Sequence, residues 1–512
     1  MEGSLLLPIM VLVPLIGAIL TLFMGGKRQK YAKYVAFATT LVILAFACVL
    51  MLADDLGKYD FAANWIDSAG LKMSLIFRVD GLSILMVFLT AVLVPLALAF
   101  SYKEGDRPNY FYALLLAIEF GLLGVYTSAD YFLFYIMWEV TLIPFYFLIS
   151  WYGGPRRHYA AIKFFIYTHV ASLVMLIALA AIPAMLILML IGFFALAFQA
   201  AAINGAGVNF SFDYISAAVG HFGEVFQVLV FGLLFFGFAV KMPAVPFHTW
   251  LPDAHTEAPT AGSVLRAGVM LKMGSYGIIR ICLEVLPEGA VKWQSIIIFI
   301  GLLSMIYGAY ACIAQRDLKK MVAYSSVSHM GLVMVSMGCL TDIGIEFAIF
   351  QMFAHGLISA MLFMVCGWAG HSLGTREIPL LGGLAGKLPY FATFMMFAFM
   401  ASLGLPGLIG FWGEFGIVYA FYEYLVANNL IVLLILPLLS LLLTAGYYLW
   451  AMQRTLFGKL TDKIDLSKAH DMNKIEAIVL GALAFLVAIY GFWPDLALQY
   501  IDLYAIGFYG VI

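Results

Sequence analysis

Six ionisable residues sit inside stretches that are otherwise apolar. Glu139 lies in "YFLFYIMWEVTLIPFYF", Lys241 closes "VLVFGLLFFGFAVK", and Lys272 lies in "LRAGVMLKMGSYGIIR". His329 follows "AYSSVS", His355 is in "FQMFAHGLISAMLF", and Glu414 is in "LGLPGLIGFWGEF". A further carboxylate, Glu119, occupies "LLLAIEFGLL". An ionisable group at membrane depth costs a few kcal/mol and marks function by default. Lysine, histidine and carboxylate share one chemistry in such a setting, the gain and loss of a proton. Each residue also has a plainer reading. A lone lysine can snorkel to the membrane surface, which the central position of Lys272 opposes and the position of Lys241 allows. His329 and His355 can be satisfied packing histidines, His169 reads as structural, and Glu119 stays open. Ala261, Gly262, Ala267 and Gly268 beside Lys272 suit close helix packing. His248, Asp253, His255 and Glu257 in "HTWLPDAHTE" are metal-ligand types, but Pro252 and an adjoining helix end favour a structural loop there.

The surroundings of these residues decide what holds them. The chain has 512 residues, of which 64% are hydrophobic and 11% charged. Soluble chains carry about 25% charged residues, so this one is an all-α polytopic membrane protein. "SLLLPIMVLVPLIGAILTLFMGG" reads as a first span and not as a cleaved signal, because no basic region precedes it. Cys48, Cys282, Cys312, Cys339 and Cys366 are scattered without a C-x-x-C pair, which argues against an iron–sulfur cluster, a zinc site or a disulfide framework. No dinucleotide fingerprint occurs, and "GGLAGKL" at 382–388 has the wrong spacing for a P-loop.

With about 20 apolar residues per crossing, fourteen segments are expected: 4–25, 33–53, 77–100, 109–128, 130–152, 162–187, 224–248, 257–281, 293–313, 321–340, 344–370, 389–424, 428–453 and 474–496. The stretch "LMLIGFFALAFQ" within 188–223 either extends the sixth or forms a short extra helix. Connections after odd-numbered segments hold 19 of the 27 Lys and Arg. The positive-inside rule then places those connections in the cytoplasm and both termini on the non-cytoplasmic side. Pro243 and Pro246 follow Lys241, and Gly404, Pro406, Gly407 and Gly410 interrupt the twelfth segment, so the seventh and twelfth are expected to be broken. Unwound backbone at membrane depth is tolerated around a polar cavity. Broken helices in corresponding places of two halves mark an inverted repeat. The expected organisation is an N-terminal three-helix region 1–108, a five-helix unit 109–281, a second 293–453, and a C-terminal loop and helix 454–512.

"FHTWLPDAHTEAPTAGSVLRAGVMLKMGSYG", "QRDLKKMVAYSSVSHMG", "FQMFAHGLISAMLF" and "GLPGLIGFWGEF" together resemble the antiporter-like membrane subunits of respiratory complex I, within them the subunit M branch. The resemblance runs from about residue 75 to 455. It implies two inverted five-helix repeats and a hydrated axis of charged residues that moves protons. It implies that Glu139 pairs with Lys241, that Lys272 connects the halves, that His329 and His355 line the axis, and that Glu414 ends it. It implies a subunit of a proton-translocating NADH:quinone oxidoreductase, or of a relative with another donor, in a prokaryotic plasma membrane. No cofactor is expected in this chain, with quinone, flavin and iron–sulfur clusters in other subunits. The expected partners are neighbouring antiporter-like subunits and the lipid bilayer, and no nucleic acid. The alternative is a subunit of a multisubunit sodium/proton antiporter or of an energy-converting hydrogenase. The lack of an intramembrane Asp pair for sodium, and glutamate where such subunits carry lysine, count against the antiporter. One departure stands out: Arg266 lies where the family stretch is commonly apolar.

Overall fold

Helix starts follow the local chemistry. Pro108, Pro287 and Pro389 each occupy a first helical position, where the missing N–H is not needed. Asp80, Asp130, Asp317, Thr341 and Asn473 accept hydrogen bonds from the first-turn amides of the helices they precede. A computed structural model describes residues 2–68, 71–103, 106–177, 187–204, 207–466 and 469–508.

The helices are α1 (Leu6–Leu22), α2 (Ala32–Met51), α3 (Gly81–Phe100), α4 (Pro108–Thr127), α5 (Tyr131–Tyr152), α6 (Arg157–Ile177), α7 (Ile187–Asn204), α8 (Phe212–Ser216), α9 (Glu224–Lys241) and α10 (Trp250–Glu257). They continue with α11 (Thr260–Leu265), α12 (Lys272–Gly277), α13 (Pro287–Ile313), α14 (Leu318–Gly338), α15 (Asp342–Ser372), α16 (Pro389–Ser402), α17 (Ile409–Ala427), α18 (Ile435–Leu456), α19 (Lys474–Phe492) and α20 (Asp495–Phe508). Among the described residues, nine helices are long and apolar enough to cross a membrane, and Leu6–Leu22, Phe193–Asn204 and Pro389–Ser402 are shorter apolar ones. The chain is an integral, multi-pass membrane protein, and α1, α2, α18 and α19 turn Leu, Ile and Phe outward.

Several expected segments take a different form. The segment 257–281 is one helical run in which α11 and α12 are separated by a π-helical turn, Arg266–Met270, and followed by another, Ile278–Leu283. The segment 389–424 is broken as expected, into the helices α16 and α17. The stretch "LMLIGFFALAFQ" lies in α7, and residues 178–186 before it fall outside the described set. The expected loop "HTWLPDAHTE" is largely the short helix α10.

The chain is mostly helical, and the expectation of an all-α protein needs correction. Strands β1 (Glu2–Gly3), β2 (Phe61–Ser68), β3 (Leu71–Phe77) and β4 (Val208–Asn209) form one sheet in that order. The first two pairings are antiparallel and the third is parallel. A search for long apolar runs passes over "FAANWIDS", which has three polar residues in eight and is one strand long. Asp130 ties the sheet to the bundle: one carboxylate oxygen caps α5 and the other accepts from Ser74 N at 3.1 Å. Helix α20 closes the same end. The Tyr500 hydroxyl donates to the Met51 carbonyl and the Tyr504 hydroxyl to the Glu284 carboxylate. At the opposite end Gly154 N bonds Glu257 O at 2.8 Å, and Asp317 pairs with Arg376 at 3.2 Å. There a cleft of about 740 Å³ is lined by Lys103, Gly153, Glu257, Lys319 and Arg376, among others.

Beside the sheet, Arg78 donates to both Asp213 oxygens at 2.9 and 3.0 Å and to Asp60 at 3.0 Å. The hydrogen bonds from Arg78 hold the Asp213 carboxyl below its usual range. At Asp60 burial outweighs Arg78 and raises the carboxyl. A depressed carboxylate contributes stability above its unfolded value and loses it as pH falls through the folded one. Arg78 and Asp213 are 40% and 68% exposed, so screening leaves less than about 1 kcal/mol. Arg78→Leu is expected to lower the thermal midpoint of the purified protein slightly at pH 7. That deficit should shrink below about pH 4, which thermal melts across pH would measure.

Candidate functional site

Two helices stop inside the bundle, and ionisable side chains gather at both stops. Helix α9 ends at Lys241 because Pro243 and Pro246 cannot continue it. The exposed backbone groups find partners nearby: Trp250 Nε1 donates to Val240 O at 3.1 Å, and Val245 N donates to Ser304 Oγ at 2.9 Å. Helix α16 stops at Ser402 and α17 restarts at Ile409, with Gly404 at φ +77° and Gly407 at φ +92° between them. These backbone conformations favour glycine over any side chain.

Four of the sequence-picked residues form a line that leads to the second stop. Lys272 Nζ lies 2.8 Å from His355 Nδ1 and donates to Ala267 O at 2.5 Å. The π-turn makes that second bond possible. Leu271 N–H bonds Arg266 O, five residues back, at 3.0 Å, and so leaves Ala267 O to the ammonium. The rings of His355 and His329 are 5.3 Å apart. His329 Nδ1 then lies 3.4 Å from Glu414 Oε1. The other His329 nitrogen, Nε2, is 3.4 Å from Ser402 Oγ, which donates to Tyr448 (2.8 Å), and the Tyr448 hydroxyl donates to Ser325 (3.0 Å). Lys272, His329, His355 and Glu414 are all buried.

The first stop is arranged differently from expectation. Among the described residues no ion pair joins Glu139 to Lys241. Glu139 Oε2 lies 2.8 Å from His169 Nδ1 instead. Lys241 Nζ lies 5.1 Å above the Trp138 ring and has no hydrogen-bond partner among the described residues. His169, which the sequence reads as structural, is thus the partner of Glu139. It satisfied the criterion applied to the others, an ionisable group inside an apolar run, "FFIYTHVASLV". Ser402 and Tyr448 carried no such signal. Gly274 holds the two stops together: a Cβ there would lie 2.6 Å from Met242 N, so the Lys272 helix packs directly on the end of α9.

The remaining candidates do not converge. Asp253 pairs with Lys163 at 2.6 Å, Glu257 with Arg156 at 3.5 Å, and the His255 ring stacks on Phe363 at 4.5 Å. Among the described residues no group of three or more His, Cys, Asp or Glu could hold a metal ion. Glu119 is buried on α4, and neither oxygen has a hydrogen-bond partner among the described residues.

Helices broken at membrane depth around buried ionisable groups are a feature of ion-translocating membrane proteins. The chain belongs to the NADH:quinone oxidoreductase/Mrp antiporter transmembrane family, whose model matches residues 128–444. It is 40% identical to the F(420)H(2) dehydrogenase subunit M of Methanosarcina mazei, over 95% of this chain and 94% of that one. It is 34% identical to the NADH-quinone oxidoreductase subunit M of Escherichia coli, over 96% and 95%. Its fold matches a chain in the structure of respiratory complex I from Thermus thermophilus with bound NADH, at a TM-score of 0.85 and 27% identity, covering 99% of each chain.

Proposed function

We propose that this chain is the proton-translocating membrane subunit of a complex I-type quinone oxidoreductase. Lys241, Lys272, His355, His329 and Glu414 carry the protons, and Glu139 with His169 adjusts the charge at Lys241. The observation that carries this reading is the line from Lys272 through His355 and His329 to Glu414, in which the two histidine ring centres are 5.3 Å apart. Protons enter from the cleft at the Lys/Arg-rich end, which the positive-inside rule puts in the cytoplasm. They leave near Glu414. Both ends of the chain then face the other side, as does the sheet. Quinone reduction elsewhere in the complex supplies the energy, and flavin, iron–sulfur clusters and quinone belong to other subunits.

The magnitudes fit. Moving one proton against about 200 mV takes about 4.6 kcal/mol. At 1.36 kcal/mol per tenfold change, that is a swing in proton affinity of more than about a thousandfold. Loss or gain of one close charge partner in a desolvated site spans such a range. The pair Glu139–His169 is the switchable element, because its carboxylate is already held away from Lys241. Its side chains are 18% and 20% exposed, so a neighbouring membrane subunit can touch it from outside. The organisation this reading adopts is fourteen crossings with inverted units 109–281 and 293–453, between the regions 1–108 and 454–512. In support, the helix stop at Lys241 matches the stop ahead of Glu414.

Lys241→Ala in the assembled complex tests the proposal, by electron-transfer-driven proton uptake into membrane vesicles. Uptake is expected to fall at least tenfold. Full uptake in that variant would refute the reading.

A further inference from the structure

Arg266 has no exposed surface, and its Nε, Nη1 and Nη2 have no hydrogen-bond partner among the described residues. The guanidinium lies 4.7 Å from the Phe164 ring centre and 5.3 Å from that of Phe145. Two aromatic faces offset part of the cost of burying a charge, and a carboxylate would offset far more. A guanidinium also stays protonated at any working pH, so it cannot hand a proton on. It is a permanent charge set among groups that can.

Its position is specific. Phe145 lies six residues along α5 from Glu139, and Phe164 lies five residues along α6 from His169, both toward the cleft end. Lys319 lines that cleft and donates to Ala258 O at 2.6 Å. Arg266 lies over Phe145, and Lys241 of α9 lies over Trp138, seven residues back along α5, which is two turns or about 10 Å on the same side of that helix. Glu139 of α5 is next to the Trp138 that Lys241 covers, and Lys272 is two residues from the Gly274 that packs on Met242. On α6, His169 is engaged with Glu139 and Lys163 with Asp253. Arg266 thus stands on the cleft side of the Lys241 ammonium along α5, and two like charges at that separation oppose one another.

We propose that Arg266 is a positioning residue whose permanent charge sets how tightly Lys241 holds a proton, and with it the pH range over which protons are taken up from the cleft. The inference rests on the proton-translocation reading above.

The test is the pH profile of electron-transfer-driven proton uptake in vesicles holding the assembled complex, for wild type, Arg266→Met, Arg266→Gln and Arg266→Lys. For charges on the order of 10 Å apart in an effective dielectric of about 20, removing one changes proton affinity about tenfold. The alkaline limb is therefore expected to move up by about one pH unit in the Met and Gln variants, while the Lys variant keeps the wild-type limb. Neutral variants with the wild-type profile would overturn the proposal. Neutral variants that fail to assemble would make Arg266 a folding requirement and overturn it too. Absence of uptake at every pH in wild type is a different result, which would defeat the translocation reading itself.

Discussion

Lys272→Met is expected to stabilise the protein and stop it from pumping. Methionine keeps the length and apolar contacts of the lysine stem while removing a charge from a fully buried position. A lysine at the centre of a membrane helix costs about 2.5–3.5 kcal/mol on insertion scales, and a buried charge replaced by an apolar side chain of similar volume is often neutral or stabilising. Two hydrogen bonds are lost, to Ala267 O and to His355 Nδ1. Ala267 O can be satisfied again by a local return from π- to α-helical bonding, so assembly is preserved. Proton transfer is not preserved. Lys272 is the group that brings a titratable nitrogen within hydrogen-bond reach of His355, and without it His355 Nδ1 loses that proton-exchange partner. Proton uptake per electron is expected to fall at least tenfold, while the thermal midpoint of the purified complex stays level or rises. Uptake at the wild-type level would mean that Lys272 serves packing. A large loss of stability would mean that the ammonium is a structural strut.

The individual charges of this line were legible in the sequence, and their connections were not. Every residue of the chain Lys272–His355–His329–Glu414 stands out as an ionisable group in an apolar run, because the membrane filters such groups strongly. The stops at Lys241 and around Gly404 were legible for the same kind of reason, since proline and glycine act locally on the backbone. What holds the residues together is set by packing between distant segments. The π-turn that frees Ala267 O leaves no mark in "LRAGVMLKMG", which reads as an ordinary helix. The pairing of Glu139 with His169 rather than Lys241 depends on how α5, α6 and α9 rotate against one another, which apolar periodicity does not specify when helices are apolar on every face. The sheet was missed for a third reason: short strands with mixed polarity carry too little signal beside runs of twenty apolar residues. Family resemblance supplied the roles, among them a Glu139–Lys241 pair, whereas the carboxylate contact in the structure is to His169.

Gly404→Val is expected to disable the far end of the line without touching an ionisable group. Gly404 has φ +77°, where a side chain costs about 1–2 kcal/mol, and more for a β-branched one. A Cβ at this position would lie 2.3 Å from Glu414 Oε2, inside contact distance, so the carboxylate must move. Its other oxygen is already 3.4 Å from His329 Nδ1, at the limit of a hydrogen bond, and a displacement of about 1 Å would break the link. Misplacing a reacting group by that distance costs about a hundredfold in favourable cases. Proton uptake is therefore expected to drop by at least tenfold, with electron transfer in the complex less affected. The partner variant separates geometry from folding. In Gly404→Ala with Glu414→Asp, the carboxylate is one methylene shorter and clears the new Cβ, so part of the uptake lost in Gly404→Ala alone should return. If the double variant pumps no better than either single one, the position of the Glu414 carboxylate against His329 is not what Gly404 protects. Glu414 would then have to be removed from the end of the proton path.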